Sequence, residues 1–184
     1  MKFKETKIEN VVICESEIFS DSRGHFFESF RSDLLEEFLG FKIHFCQINQ
    51  SISKKNVIRG LHFQKEPLSQ SKLVAVPKGR ILDVVVDIRS DSKTFGKHLS
   101  VEISDKKKNS IFVPKGCAHG FISLEEDTIV SYLVDNFYSS KLDSGIRFND
   151  SDLKIDWGID LDLAKISPKD SNLPNFKDYL KEDI

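Results

Sequence analysis

The sequence predicts an all-β sandwich or barrel with only a few short helices. Apolar and polar residues alternate in short runs that recur roughly every ten residues, and turn signals lie between the runs. Only residues 32–40 have the pattern of a clear helix. No repeat, low-complexity tract or linker divides the chain, so we expect one domain over residues 1–184.

The elements of the first half are marked by turn signals and by one pair of helix caps. Strands are predicted over residues 9–19, 25–30 and 43–52. Residues 21–24 predict a turn between the first two of these strands. Ser32 is expected to cap the helix at its N-terminus, and Gly40 is expected to end it.

The second half of the chain contains most of the expected sheet. Strands are predicted on either side of a loop within residues 57–74, and over residues 80–88, 97–104, 110–113, 118–124 and 128–137. Residues 77–79 predict a tight turn. Val84 and Val86 are expected to face away from Val85, because side chains alternate along a strand. A short helix is expected within residues 170–180.

Composition and charge exclude several classes of protein. The chain has 184 residues and a net charge of −2, so no broad basic surface is expected to attract nucleic acid. No apolar run is long enough to span a membrane, and we expect no signal peptide. Cys14, Cys46 and Cys117 are widely spaced, which predicts neither a disulfide framework nor a zinc site. We therefore expect a protein of the reducing cytoplasm.

The chain is organised around residues 57–74, where polar groups interrupt two apolar runs. Arg59, His62, Gln64 and Lys72 lie among apolar strand residues. Buried charges are costly unless they are paired, so two cations and an imidazole in such strands indicate a ligand site. The alternative is an edge strand with one solvated face.

A second histidine, later in the chain, is also a candidate site residue. His119 follows a Pro-x-Gly turn in the segment 114–121, which resembles the second sequence motif of the cupin jelly rolls. The first cupin motif usually has His-x-His and a following glutamate. This chain has His62-Phe63-Gln64 instead, and Glu66 precedes a proline. Two histidines are too few for a tight metal site, so we expect a metal-free relative.

Nearly the whole chain resembles the dTDP-4-dehydrorhamnose 3,5-epimerases. The resemblance rests on the order and spacing of short motifs that are weak one by one. They lie at residues 21–30, 47–49, 59–64, 72–74, 83–87, 114–121, 132, 138, 145–150, 155–157 and 167–170. The resemblance implies a cupin-like jelly-roll barrel or sandwich with a few short peripheral helices.

The resemblance also implies an isomerase that needs no cofactor. Such enzymes invert carbons 3 and 5 of a nucleoside-diphosphate 4-keto-6-deoxy sugar through an enolate, converting dTDP-4-dehydro-6-deoxyglucose to dTDP-4-dehydrorhamnose. By position in the motifs, His62 is the base and Asp170 is its carboxylate partner. Lys72 matches the residue that stabilises the enolate oxygen, and Tyr132 matches the acid that returns the proton.

Other motif positions match residues that contact the nucleotide sugar in the family. They are Arg23, Glu28, Gln47, Asn49, Arg59, His119, Tyr138, Asp143 and Lys169. Arg23 and Arg59 match contacts to the diphosphate, and Tyr138 matches an aromatic ring that stacks on the base. Asp143 stands where the family usually has a glutamate. Relatives form homodimers with N-terminal strand exchange, so Arg23 is expected to reach the partner's site.

Two further expectations concern geometry. Strict alternation would put Arg59 and His62 on opposite faces of one strand, although both are expected in one site. We therefore predict a bulge or kink at Gly60, because glycine tolerates the backbone that this requires. Asp83 is either a buried structural acid or a carboxylate that orients a histidine.

Other functions stay open at this point. The chain could epimerise only one carbon, or act on another nucleotide keto-sugar such as a GDP-heptose. It could be a metal-dependent cupin oxygenase, which Gln64 in place of a histidine disfavours. It could also bind sugar nucleotides without activity, which the complete set of His62, Lys72, Tyr132 and Asp170 disfavours.

Overall fold

The computed structural model describes residues 1–182, and most of its regular secondary structure is antiparallel strand. The helices are short: α1 Ser32–Leu39, a 3-10 helix Leu161–Leu163, α2 Pro168–Ser171 and α3 Phe176–Glu182. The strands are β1 Lys2–Glu5, β2 Val12–Glu15, β3 Phe19–Asp21, β4 Gly24–Phe26, β5 Gln47–Ser53, β6 Ile58–Gln64, β7 Lys72–Lys78, β8 Arg80–Asp87, β9 His98–Ser104, β10 Asn109–Val113, β11 Cys117–Ser123, β12 Thr128–Val134 and β13 Asp143–Gly145. The predicted all-β class with a few short helices is confirmed.

Two sheets stack face to face as a jelly-roll sandwich. One sheet has six strands in the order β1-β2-β10-β7-β12-β5, and the other has five in the order β13-β6-β11-β8-β9. Neighbouring strands in both sheets are antiparallel. Within the described residues, β3 and β4 form a separate hairpin that pairs with neither sheet.

Apolar side chains cover both faces of the central strands. Between the sheets, Val74 of β7 and Val85 of β8 belong to one buried cluster. Val84 and Val86 point outward, where the C-terminal segment covers them with Trp157 and other large side chains. The predicted alternation of these three valines is confirmed. A third cluster lies on the outer face of the six-stranded sheet, beneath α1.

Strand β6 contains the predicted irregularity. His62 pairs with His119 of β11, and Arg59 pairs with Phe121, so β6 has one more residue than β11 across this interval. Gly60 lies inside the interval and has a φ of 116°, which an L side chain rarely adopts. The bulge expected at Gly60 is confirmed, and it allows Arg59 and His62 to reach the same side of the sheet.

The predicted boundaries are wrong near the N-terminus. The strand expected over residues 9–19 is limited to β2, and an unpredicted β1 pairs with it. Asn10 has a φ of 61° and turns the chain just before β2. After β2, the backbone N–H of Ser16 bonds Lys108 O in a loop instead of continuing the ladder.

The predicted position of α1 is correct, but its predicted N-terminal cap is wrong. Arg31 occupies the cap position without a side-chain cap bond, and Ser32 is already helical. Gly40 ends the helix in the left-handed conformation, as expected. The strand expected from residue 43 begins only at β5, because Ile43 and Phe45 pack with α1 over the sheet.

The C-terminal region contains two short helices, α2 and α3, where one was expected. Ser167 caps α2 by accepting a hydrogen bond from the Asp170 N–H, at 3.1 Å. This short helix presents Asp170 toward β6. No helix in the described part of the chain is long and apolar enough to cross a membrane.

Candidate active site

The two sheets and the segment 165–170 enclose a cavity of about 570 Å³. The six-stranded sheet contributes Asn49, Ser51, Lys72 and Tyr132 to its lining. The five-stranded sheet contributes Arg59, His62, His119, Phe121 and Asp143. Because the sheets face each other, polar groups from two opposite walls point into one space.

His62 and Asp170 form a hydrogen-bonded pair at the edge of this cavity. His62 Nε2 lies 2.8 Å from Asp170 Oδ1, and the backbone N–H of Gly60 donates to Asp170 Oδ2 at 3.1 Å. Burial raises the pKa of Asp170, but the bonds to His62 and Gly60 outweigh this and hold the pKa below its usual range. The carboxylate therefore stays ionised at neutral pH and can orient the imidazole and stabilise its protonated form.

Lys72 places an ammonium group at the bottom of the cavity. Its side chain is buried, and Nζ donates to the carbonyl oxygen of His62 at 3.0 Å. Burial lowers the pKa of Lys72 to about 8, although the carboxylates of Asp143 and Asp83 partly oppose the change. The ammonium is therefore a desolvated donor that can meet a developing negative charge.

Tyr132 lies on the opposite wall from His62, because β12 belongs to the six-stranded sheet and β6 to the five-stranded sheet. Burial raises the pKa of the Tyr132 phenol above its ordinary value of 10.0, and Asp143 adds to this. Arg59 and Lys169 act in the other direction. The phenol is thus protonated at neutral pH and can donate a proton from the wall that faces the imidazole.

A second histidine–carboxylate pair lies deeper. His119 Nε2 is 2.7 Å from Asp83 Oδ2, and Asp83 is completely buried. Asp83 therefore orients a histidine, which was one of its two expected roles. The other carboxylate oxygen, Oδ1, has no hydrogen-bond partner among the described residues. The described residues contain no group of three histidine, cysteine, aspartate or glutamate side chains that could hold a metal ion.

Charged and aromatic groups surround the cavity mouth. The Tyr138 hydroxyl donates to Asp143 Oδ2 at 2.9 Å, and Lys169 Nζ donates to the same oxygen. The guanidinium of Arg59 donates to Ser53 Oγ at 3.0 Å but makes no ion pair with a described carboxylate. Arg59 therefore has no described carboxylate partner to compete with an anionic ligand.

Most of the predicted site residues line this cavity. They are Asn49, Arg59, His62, Lys72, His119, Tyr132, Tyr138, Asp143, Lys169 and Asp170. Gln47 lies just outside, where its Oε1 accepts the Tyr138 N–H at 3.2 Å. Some polar lining residues were missed: Ser51, Gln70, Lys165 and Ser167. Two of them had a signal in the sequence: Ser51 shares a strand face with Asn49, and Ser167 begins the motif at residues 167–170.

Arg23 and Glu28 do not reach the cavity of their own chain. Arg23 lies in the β3–β4 hairpin with its side chain 88% exposed, and it pairs with Asp21 at 2.6 Å. Glu28 pairs with Arg31 at 3.2 Å. Neither residue lines the cavity of its own chain, and the expectation that Arg23 reaches a partner's site stays a prediction.

The family is decided by comparison with known proteins. The model of the family described as dTDP-4-dehydrorhamnose 3,5-epimerase matches residues 5–178. The chain belongs to the dTDP-4-dehydrorhamnose 3,5-epimerase family. The enzyme of that name from Escherichia coli strain K12 is 44% identical over 168 residues, which cover 91% of this chain and 90% of that protein.

Solved structures of the epimerase family have the same fold. The dTDP-4-dehydrorhamnose 3,5-epimerase of Elizabethkingia anophelis is 44% identical, with a TM-score of 0.93 and 97% of each chain covered. The RmlC enzyme of Legionella pneumophila, in complex with dTDP-4-keto-L-rhamnose, is 38% identical with a TM-score of 0.91. That similarity covers 96% of this chain and 93% of the Legionella chain.

Replacing Lys72 by methionine should stabilise the fold. A buried ammonium is costly, and an apolar side chain of similar length removes that cost, so we expect a gain of about 1–3 kcal/mol at pH 7. The pKa of Lys72 is about 8 in the folded state and near 10.5 in the unfolded state. Between pH 8 and pH 10.5, Lys72 is mainly protonated in the unfolded state and mainly neutral in the folded state. The free energy of unfolding of the wild type therefore rises with pH over this range.

Urea unfolding of both proteins from pH 7 to pH 11 measures this effect. The advantage of Lys72→Met should shrink between pH 8 and pH 10.5 as the wild type gains stability. Lys78→Met is the matched control, because Lys78 ends the same strand with an exposed side chain. An equal gain from both substitutions, or a gain that does not change with pH, would contradict the account of Lys72.

Proposed function

We propose that this protein inverts carbons 3 and 5 of dTDP-4-dehydro-6-deoxyglucose to form dTDP-4-dehydrorhamnose. The observation that carries the proposal is the placement of His62 and Tyr132 on opposite walls of one cavity. Epimerisation next to a ketone requires that a proton leave one face of the carbon and return to the other. A base and an acid on facing sheets meet that requirement.

His62 is the proposed base. It removes the proton from carbon 3 or carbon 5, and the electrons of that C–H bond move into an enolate whose charge rests on the oxygen at carbon 4. The His62–Asp170 hydrogen bond, 2.8 Å long, supports this role, because the ionised carboxylate fixes the ring and stabilises the imidazolium.

Lys72 is the proposed partner of the enolate oxygen. Its buried ammonium already lies near the His62 backbone, and burial strengthens its interaction with a negative oxygen. Tyr132 then gives its proton to the opposite face of the carbon, and the raised pKa of its phenol keeps that proton available. The reaction moves only protons, so its balance requires no oxidant and no cofactor.

The proposed ligand also accounts for the groups at the cavity mouth. The guanidinium of Arg59 suits a diphosphate, and the exposed ring of Tyr138 offers a flat surface for a nucleobase. Asn49, His119 and Lys169 line the same cavity and can bind sugar or ribose hydroxyls.

Substitution of the base and the acid tests this function. His62→Asn should lower kcat by about 10³-fold and Tyr132→Phe by about 10²-fold, because each removes one proton-transfer group. Both variants should keep the dTDP affinity of the wild type within about threefold, since neither side chain is assigned to the nucleotide. Turnover of the 4-keto sugar and calorimetric titration with dTDP give the two quantities.

His44→Asn is the matched control for His62→Asn, because His44 is exposed and does not line the cavity. It should retain full turnover. Normal turnover by His62→Asn would refute the assignment of the base. Normal dTDP binding without turnover in the wild type would instead support a sugar-nucleotide binder.

We also propose that residues 1–184 fold as one domain and act in the cytoplasm. The buried clusters that support this draw on β1, β2, β6–β12 and α1, and on the C-terminal segment with α3. Cys14, Cys46 and Cys117 are free thiols, which suits a reducing compartment.

The working unit in this proposal is a homodimer with exchanged N-terminal segments. β1 pairs with β2 of its own chain, so the segment left to exchange is the β3–β4 hairpin. Phe19 and Phe26 of that hairpin are 54% and 67% exposed. Ile48 and Ile52 on the edge strand β5 are 68% and 64% exposed. Exposed apolar surface of this kind suits contact with a second copy of the chain. Exchange of the hairpin would place Arg23, and Glu28 just after it, at the partner's cavity.

Mixing two defective variants tests the shared site. In a dimer of one Arg23→Ala chain and one His62→Asn chain, one site has both substitutions and the other has neither. Random exchange of chains should therefore restore about a quarter of wild-type activity at low substrate concentration. The control is the activity of each variant incubated without the other. Sedimentation of the wild type as a monomer, or mixed dimers without recovery, would refute the exchange.

A further inference from the structure

Gln64 lies on β6 two residues after His62, and its side-chain amide is fully occupied. Its side chain is buried, and Nε2 donates to Phe137 O at 3.1 Å and also to Leu68 O. Its Oε1 accepts the backbone N–H of Ser139 at 2.7 Å. One amide thus holds the chain immediately before and immediately after residue 138.

Tyr138 is fixed at further points. Its backbone N–H donates to Gln47 Oε1, and its hydroxyl donates to Asp143 Oδ2 at 2.9 Å. Its side chain is nevertheless 56% exposed, at the lining of the cavity. An exposed ring is usually free to change rotamer, but here both its backbone and its hydroxyl are held. The arrangement presents one aromatic face in one place.

The same two loops are joined by other amides that do not touch residues 137–139. Gln70 Nε2 donates to Asn136 O, and Asn136 Nδ2 donates to Ser69 O, each at 2.7 Å. These bonds connect the β6–β7 loop to the β12–β13 loop. They hold the loops together even when Gln64 is changed, so the effect of Gln64 on Tyr138 can be tested separately.

We propose that Gln64 is a positioning residue that holds the Tyr138 ring ready for the nucleobase. The inference rests on the proposed function, in which Tyr138 meets the base of a dTDP-linked sugar. A ring that is ordered before binding loses less conformational entropy when the ligand arrives. The hydrogen bonds of Gln64 to the backbone on both sides of Tyr138, here called the clamp, therefore raise affinity for the base through the ring. The clamp should contribute nothing to binding of the diphosphate, which the proposed function assigns to Arg59.

The test compares the affinities of two ligands and adds a double-mutant cycle between Gln64 and Tyr138. Gln64→Met removes the amide but keeps a similar volume, and it should weaken dTDP binding about tenfold while inorganic pyrophosphate binding changes less than about twofold. In a Tyr138→Leu background, the same Gln64 substitution should change dTDP affinity by less than about twofold. Calorimetric titration measures all four proteins.

Asn136→Ala is the matched control, since it removes a bond across the same loops but none to residues 137–139. It should leave dTDP affinity within about twofold of the wild type. The proposal is overturned if Gln64→Met weakens both ligands equally. It is also overturned if its effect on dTDP persists in full without the Tyr138 ring.

Amide hydrogen exchange tests the clamp without any ligand. The Ser139 N–H bonds Gln64 Oε1 in the wild type, so Gln64→Met should speed its exchange by at least about tenfold. If Gln64→Met does not fold, the uncharged variant Gln64→Leu also removes the amide, and it should still weaken dTDP selectively. Unchanged exchange of the Ser139 N–H in Gln64→Met would refute the proposed role of Gln64. A wild type that does not bind dTDP would instead refute the proposed function.

Discussion

The site depends on how closely β6 and β11 approach each other at two glycines. A Cβ atom on Gly60 would lie 2.6 Å from the Cα of Gly120, and one on Gly120 would lie 2.7 Å from Arg59 O. Such separations are possible only for backbones without side chains. The extra residue of β6 fits within this contact, so Arg59 and His62 line the same cavity. The bulge also turns the Gly60 N–H toward Asp170, which connects the strand irregularity to the orientation of the imidazole.

The same cavity combines groups that would be unfavourable elsewhere in the fold. Lys72 is buried among strands, and the carboxylates of Asp143 and Asp83 only partly offset the cost of its desolvation. A buried oxygen of Asp83 also lacks a hydrogen-bond partner among the described residues. A protein selected only for stability would replace these groups with apolar side chains. Their presence is explained when a reacting group acquires negative charge between the two sheets.

Much of this organisation follows from short-range patterns in the sequence. The alternation in β8 is predicted correctly because successive side chains of a regular strand point to opposite faces. The bulge at Gly60 followed from the conflict between Arg59 and His62. The errors concern interactions between distant segments: the limits of β2 depend on its partner β10, and the loop that Gln64 holds lies some seventy residues away. No local pattern shows where the hairpin that carries Arg23 will pack.

The most direct test of the account is to follow solvent deuterium into the sugar. The wild type would be incubated with dTDP-4-dehydro-6-deoxyglucose in heavy water, and carbons 3 and 5 observed by NMR. If His62 and Tyr132 exchange protons on opposite faces, deuterium should enter at both carbons with inversion at each. Deuterium at a single carbon would show a mono-epimerase, and no exchange in a protein that binds dTDP would contradict the assigned chemistry.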